Sequence, residues 1–265
     1  MDKTVEHSSE AELPGQGIDP EPIELMNEGS ASPLLLVCEH AGQAIPHELG
    51  DLGLSDDQRR LHIAYDIGAA VVARDLARRF GCALILQRYS RLVIDCNRPV
   101  GTPQSIPEIS DSIRIPGNAG LSDRAREQRA NAIFDPYAAL CASQIAQRHI
   151  EFTYSIHSFT PQMDGLYRPW DIAFLYRDNC SQGEQLAALC HEMFPQLKIG
   201  KNEPYSIEDP TDWYIPVCAE PRKIPHCLIE IRNDHIDTNE GSALWAERLY
   251  RLISCFMEQH NATDS

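Results

Sequence analysis

The sequence predicts an α/β fold in which one sheet is covered by helices on both faces, and three observations carry that prediction. From Pro33 onward, short runs rich in Leu, Ile and Val alternate with longer segments of helical period. The short runs carry few charges, as strands buried on both faces do. Several of them end in polar residues, and the carboxyl ends of strands are where α/β sheets build their sites. With 265 residues, 43 % of them apolar, the chain can bury one large core, so a single domain over residues 33–260 is expected.

Ahead of that domain, residues 1–32 hold eight acidic side chains, one lysine, Pro14, Pro20 and Pro22, with no sustained period. That composition predicts a mobile or peripheral arm. Strands are expected at Leu34 to Cys38, Cys82 to Gln87, Leu92 to Cys96, Thr153 to His157, Ile172 to Tyr176, Leu197 to Ile199 and Cys227 to Ile231. The first helix should span about 56–80: Ser55 can cap it, Asp56 and Asp57 suit its first turn, Arg78 and Arg79 its last, and Gly81 follows. A second, over 123–149, should be interrupted before Pro136, which lacks the N–H a helix interior needs. Two more are expected at about 182–194 and 240–259. The Pro-rich loop over 99–120, following a strand end, is a candidate lid.

Composition narrows the function. A net charge of −16, from 39 acidic and 23 basic residues, repels nucleic acid and anionic membranes, so neither is an expected partner. No apolar run approaches the roughly 18 residues of a membrane span. The start Met1-Asp2-Lys3-Thr4-Val5-Glu6 has no secretory pattern, so a cytoplasmic location is expected. The nine cysteines form no Cys-x-x-Cys pair and read as reduced core residues.

Chemistry concentrates at a few positions. The first strand runs into Glu39-His40-Ala41-Gly42, placing two polar, metal-competent side chains at its carboxyl end. His157 ends Thr153-Tyr154-Ser155-Ile156-His157, and Glu230 stands inside Cys227-Leu228-Ile229-Glu230-Ile231. A carboxylate flanked by Leu and Ile is costly to bury alone. It must either pair with an arginine such as Arg232 or stand beside a metal as a proton acceptor. His62 and Asp66 are four apart on the expected first helix and would share a face, as two ligands or one hydrogen-bonded pair. Asp66 lies in the more apolar surroundings and is the favoured site residue of the two. Arg91 and Arg98 bracket the run Leu92 to Cys96, with Asn97 beside Arg98. A guanidinium there needs an anion, either a substrate carboxylate or Asp95.

Six segments in register then amount to a resemblance. Cys38-Glu39-His40-Ala41, Tyr65-Asp66-Ile67-Gly68-Ala69, Ser90-Arg91 through Asp95-Cys96-Asn97-Arg98-Pro99, Ile156-His157-Ser158-Phe159-Thr160-Pro161, Asn202-Glu203-Pro204-Tyr205 and Ile229-Glu230-Ile231-Arg232-Asn233-Asp234 resemble the N-formylglutamate amidohydrolase family, over roughly residues 25–255. That family is similar in turn to zinc carboxypeptidases and aspartoacylases. The resemblance implies a three-layer αβα sandwich with a central mixed, mostly parallel sheet, of the zinc-peptidase or phosphorylase-hydrolase kind. It implies one catalytic Zn²⁺ on His40, Asp66 and His157, with Glu39 and His62 as the other possible ligands. It further implies Glu230 as general base and Arg98 as the catalytic cation. Asn97 and Arg98 would serve as the pair that binds the substrate carboxylate and polarises the carbonyl, and Arg91, Asn202, Tyr205, Arg168 and Arg232 would complete the substrate contacts. The small-molecule substrate would be an N-formyl or N-acyl amino acid such as N-formyl-L-glutamate. A carboxypeptidase-like or aspartoacylase-like hydrolase, or a non-catalytic binder of acidic metabolites, are the alternatives. The sequence departs from the family's Pro-His-Ser-Gly by having Glu39-His40-Ala41-Gly42, which leaves Glu39 as an extra carboxylate without an assigned role.

Overall fold

The computed structural model describes residues 13, 18–163, 165–177 and 182–263. In chain order the elements are β1 (Ile23–Met26), β2 (Leu34–Cys38), α1 (Asp56–Arg59), α2 (Ala69–Phe80), β3 (Ala83–Gln87), the hairpin of β4 (Ile109–Ser110) and β5 (Ile113–Arg114), α3 (Asp123–Arg129), α4 (Asp135–Gln147), β6 (Phe152–Phe159), the hairpin of β7 (Gln162–Met163) and β8 (Leu166–Tyr167), β9 (Ile172–Leu175), α5 (Gln182–Met193), β10 (Ile199–Lys201), β11 (His226–Arg232) and α6 (Asn239–Thr263). Seven strands form one sheet in the order β1-β3-β2-β6-β11-β9-β10. The block β3-β2-β6-β11 is parallel, as is β9 with β10, whereas β1 and β9 run antiparallel to their neighbours β3 and β11.

Successive side chains on a strand point to opposite faces, and here both faces are apolar. Leu34, Leu36 and Cys38 of β2, with Tyr154 and Ile156 of β6, join one core with α2, α5 and α6. Leu35 and Val37, with Ala83 and Ile85 of β3, join the other with α4, the 89–96 segment and residues 213–218. The sandwich expected from the sequence is the one observed. No helix among the described residues is long and apolar enough to cross a membrane.

Four local expectations change. The expected arm is not wholly peripheral, because β1 adds to the sheet edge with Ile23 and Leu25 on the second core and Glu24 paired to Arg74 at 2.7 Å. The remaining arm positions 1–12 and 14–17 lie outside the described residues. The first helix is two helices, since the carbonyls of residues 62–64 are taken elsewhere: Ala64 O accepts from Arg91 N and Ser90 Oγ, and His62 O and Ile63 O accept from the Arg91 guanidinium. Leu92 to Cys96 is not a strand but a buried turn, held by Val93 N to Ser90 O and Asp95 N to Ser105 O. Its apolarity reflects burial in the second core without a strand partner. Leu197 to Ile199 is displaced, the strand forming at Ile199–Lys201. By contrast the interruption before Pro136 appears as a π-helical turn over Ala130–Phe134, which accommodates the missing N–H.

The Pro-rich 99–120 loop is anchored to the body of the fold at Pro107, Gly117 and Asn118. Arg129, 2 % exposed, donates to Val93 O, to Asn118 Oδ1 at 2.7 Å and to Gly117 O, while Asn118 Nδ2 donates to Leu92 O and Pro107 O, both at 2.8 Å. Ser105, Ile106 and Ile115 are buried with them, so these parts of the loop are packed into the fold.

Beyond β2 the chain passes so close to Arg88 that only glycine fits. A Cβ on Gly42 would stand 1.8 Å from Arg88 O, a backbone atom fixed by its bond from Ala44 N. Overpacking costs about 1–3 kcal/mol when side chains can yield, and here none can. Gly42→Ala is therefore expected to lose about 3 kcal/mol or more of stability, measured as a shift in the chemical-denaturation midpoint at unchanged slope.

Candidate active site

The site is built at the carboxyl ends of β2, β6 and β11. Alternation carries it there: Thr153, Ser155 and His157 of β6 form a polar row on the second face, Glu39 follows Val37 on the same face of β2, and Glu230 of β11 lies in register with His157. Two segments outside the sheet complete it. Asp66 is set by its backbone N–H bonding His40 O, and Gly68, in the left-handed conformation at φ 79°, turns the chain from there into α2.

His40, Asp66 and His157 are all buried, and each offers a ligand atom within 4.8 Å of the others. The imidazoles have matching partners, although their rings cross at 83°. His40 Nε2 lies 2.8 Å from Asp95 Oδ1 and its Nδ1 3.5 Å from Asp66 Oδ2. His157 Nε2 lies 3.0 Å from Glu39 Oε2 and its Nδ1 2.8 Å from Asp66 Oδ2. In each case one nitrogen faces a backing carboxylate and the other turns to Asp66. Histidines that hold metals are commonly held this way. Glu39 is itself fixed by Ser155 Oγ, which donates to Oε2 at 2.6 Å, so the extra carboxylate supports His157. Asp66 Oδ2 also accepts from Ser158 N at 3.1 Å.

The cluster calls for positive charge. Among Asp66, Glu39, Asp95 and Glu230 stand two guanidinium groups, Arg91, whose Nη1 is 3.3 Å from Asp66 Oδ1, and Arg98, whose Nε is 3.8 Å from Asp95 Oδ2. Buried carboxylates in such excess are costly without a cation or protons among them. Burial opposes a charge on His157, yet Glu39 and Asp66 outweigh it and raise its pKa well above the usual value. His40 is raised in the same way against burial by Asp95 and Asp66. Burial likewise opposes the charge of Asp66, but Arg91 and His40 hold it well below the carboxylate range. A neutral His157 has one ring proton for the two carboxylates it faces, so one of its contacts, with Asp66 or with Glu39, requires a second proton or a metal ion. Two imidazoles and a carboxylate are a donor set that suits Zn²⁺.

A cavity of about 650 Å³ opens over this cluster, lined by His40, His157, Glu230, Arg91, Asn97 and Arg98 among others. Glu230 makes no hydrogen bond or ion pair among the described residues, and its Oε2 is buried without a partner. The pairing with Arg232 that could have accounted for it does not form. Desolvation pushes the Glu230 carboxyl up to about 7 against the nearby charge of His157.

The other residues expected at the site divide. His62 lines the cavity with its Nδ1 3.6 Å from Asp66 Oδ1, brought there by the turn rather than by a shared helical face. Burial, and then Arg91, push its pKa down to about 3. Unfolded, it takes up a proton near 6.5, so over that window the unfolded state binds more protons and stability falls as pH falls. His62→Gln should flatten this dependence, seen as a smaller change in denaturation midpoint between about pH 7 and about pH 5. Asn97 Oδ1 accepts from Tyr214 N at 3.1 Å, which ties it to the 213–218 segment. Arg98 bonds Thr211 O and lies 3.5 Å from Asp212 and 3.8 Å from Asp95. Tyr205 lines the cavity, with Arg168 bonded to its hydroxyl at 2.9 Å.

Two expected substrate contacts are elsewhere. Arg232 is engaged by Asp234 at 2.8 Å and Asp171 at 3.5 Å and by the carbonyls of Pro169 and Trp170. Asn202 accepts from Tyr176 N at 2.8 Å and lines a separate hollow with Arg177 and Asp209. Neither lines the cavity. Asp95 and Ser155, which the sequence reading did not place in the site, are legible afterwards: Ser155 from the polar alternation Thr153, Ser155, His157, and Asp95 as the one acid in an apolar buried run.

Compared with known proteins, the chain matches the sequence model of the family described as N-formylglutamate amidohydrolase over residues 32–236. Among solved structures it is similar to the gene product Atu2144 of Agrobacterium tumefaciens, at 34 % identity and TM-score 0.86, covering 91 % of this chain and 97 % of that one. It shares its fold with an N-formylglutamate amidohydrolase of Ralstonia eutropha JMP134, at 19 % identity and TM-score 0.62 over 88 % of this chain and 96 % of the other. No curated protein matches it.

Proposed function

Because the chain belongs to the N-formylglutamate amidohydrolase family, we propose that it hydrolyses the amide of an N-formyl or N-acyl amino acid at a zinc site held by His40, Asp66 and His157. The observation that carries this reading is the convergence of those three buried donors beside Glu230, whose carboxylate is unpartnered at the floor of the cavity. A divalent ion held there supplies a Lewis acid for the carbonyl and lowers the pKa of water.

The chain's own groups supply the rest. Glu230 removes a proton from the attacking water as its oxygen bonds the carbonyl carbon, and delivers it to the nitrogen as the C–N bond breaks, giving the carboxylic acid and the free amine. Arg98, with N–H groups left beyond its bonds to Thr211 and Asp212, stabilises the developing oxyanion together with Asn97 at the cavity wall. Arg91 orients Asp66 and His40. Glu39 and Asp95 hold His157 and His40 in the tautomer that turns Nδ1 to Asp66.

The test is turnover of N-formyl and N-acetyl amino acids by protein loaded with zinc, and again after chelation. Release of the amino acid that disappears with the metal and returns on its addition supports the reading. Tight binding of these compounds without turnover would favour a non-catalytic binder instead.

A further inference from the structure

The cavity over the site is larger than the reacting group needs. At about 650 Å³ it falls among pockets that enclose ligands of drug size, whereas a formyl group adds little to the amino acid that carries it. The charges and apolar surfaces of its walls show what else it can hold.

The charges are either matched or negative. Among the described residues that line the cavity, Arg91 and Arg98 are the guanidinium groups, and each stands opposite carboxylates: Asp66 for Arg91, Asp212 and Asp95 for Arg98. Behind the wall, Arg168 bonds the Tyr205 hydroxyl at 2.9 Å and makes no ion pair among the described residues. Unmatched positive charge is therefore available for one substrate carboxylate and not for a second. Asp111 and Glu208 add two acids on the exposed side of the cavity. Neither has an ion-pair partner among the described residues, and Glu208 Oε1 accepts from a neutral group, Ser206 Oγ, at 3.3 Å.

The neutral part of the wall is apolar. Leu228 stands two residues before Glu230 on the same face of β11 and pairs in register with Leu175 of β9. Both leucines belong to the second core, yet both line the cavity. The β9 residue in register with Glu230 itself is Ala173. A substrate whose amide lies at Glu230 thus has an apolar surface next to it on the β9 side. Elsewhere on the wall, Leu61 and Ile109 are large apolar side chains left exposed, as they are where a concave site takes up apolar groups.

We propose that the site selects N-acyl derivatives of apolar amino acids over those of glutamate, Leu175 and Leu228 receiving the apolar side chain while Glu208 and Asp111 exclude a second carboxylate. This rests on the hydrolase reading above and narrows it to a substrate class. A side-chain carboxylate beside the two leucines would lose its water with no cation to replace it, and the two exposed acids would repel it.

The test compares kcat/KM of the zinc-loaded protein for the N-formyl and N-acetyl forms of L-leucine, L-glutamine and L-glutamate, glutamine having the shape of glutamate without its charge. Leucine should lead glutamine by at least about tenfold, as an apolar pocket provides, and glutamate should fall at least about tenfold below glutamine. The gap between glutamine and glutamate should narrow in the double variant Glu208→Gln/Asp111→Asn, which changes only exposed side chains, and also at high salt, which screens them. Glutamate or glutamine hydrolysed as well as leucine, or a gap that neither the double variant nor salt alters, overturns the proposal. If none of these compounds is hydrolysed, calorimetric titration of the same set decides. Binding in the order leucine, glutamine, glutamate would then overturn only the hydrolase reading, and any other result, including no binding, overturns both.

Discussion

Glu230→Gln is expected to lose about 10²- to 10⁴-fold in kcat, or ~2.7 to 5.4 kcal/mol of transition-state stabilisation, with the metal retained. The amide keeps the shape of the carboxylate and fits the same buried position on β11, so no cavity or unpaired charge is created. What it cannot do is accept a proton. Because Glu230 has no bond to His40, Asp66 or His157 among the described residues, the donor set should be undisturbed. Metal content and kcat measured on the same preparation decide the matter: zinc leaving with the carboxylate would make Glu230 a ligand, and a loss below about tenfold would exclude it as the base.

The second large effect is expected at His157. His157→Ala should empty the metal site and also weaken the fold, since the ring stands between Asp66 and Glu39 at 2.8 and 3.0 Å. Removing one partner of a buried charged pair typically costs about 3–5 kcal/mol, because the other is left uncompensated. The two consequences can be separated by chelation. A bound metal at a hundred times its dissociation constant stabilises a protein by about 2.7 kcal/mol, so the unsubstituted protein should melt lower after chelation. The variant, already low, should not respond. A variant that melts lower on chelation as the parent does would place the metal elsewhere.

The site was legible where it follows strands. His40, His157 and Glu230 stand at or near the ends of apolar runs that become β2, β6 and β11, and strand ends in a parallel block meet at one edge. Asp66 was legible only as an acid in apolar surroundings. Its spacing from His62 suggested a helix, but the local carbonyls are claimed by Arg91 and Ser90, partners too distant in sequence for any local period to reveal. The same limit hid Asp95. Its run, Leu92 to Cys96, is as apolar as a strand, and only the bonds from Asn118 and Arg129 to Leu92 and Val93 show that its backbone is satisfied without one. The arginines are the hardest case, since their assignment depends on which carboxylate each one faces after folding.

The hub made by Arg129 and Asn118 has a further consequence for how ligands bind. It ties Leu92 and Val93, just ahead of Asn97 and Arg98 at the cavity wall, to α3 and Asn118 through hydrogen bonds that exist before any ligand arrives. The conformational entropy of that segment is therefore surrendered when the chain folds, and binding has little of it left to remove. Discrimination between acyl groups then rests on rigid fit, so an oversized acyl group should be rejected mainly through strain rather than accommodated by rearrangement of this wall.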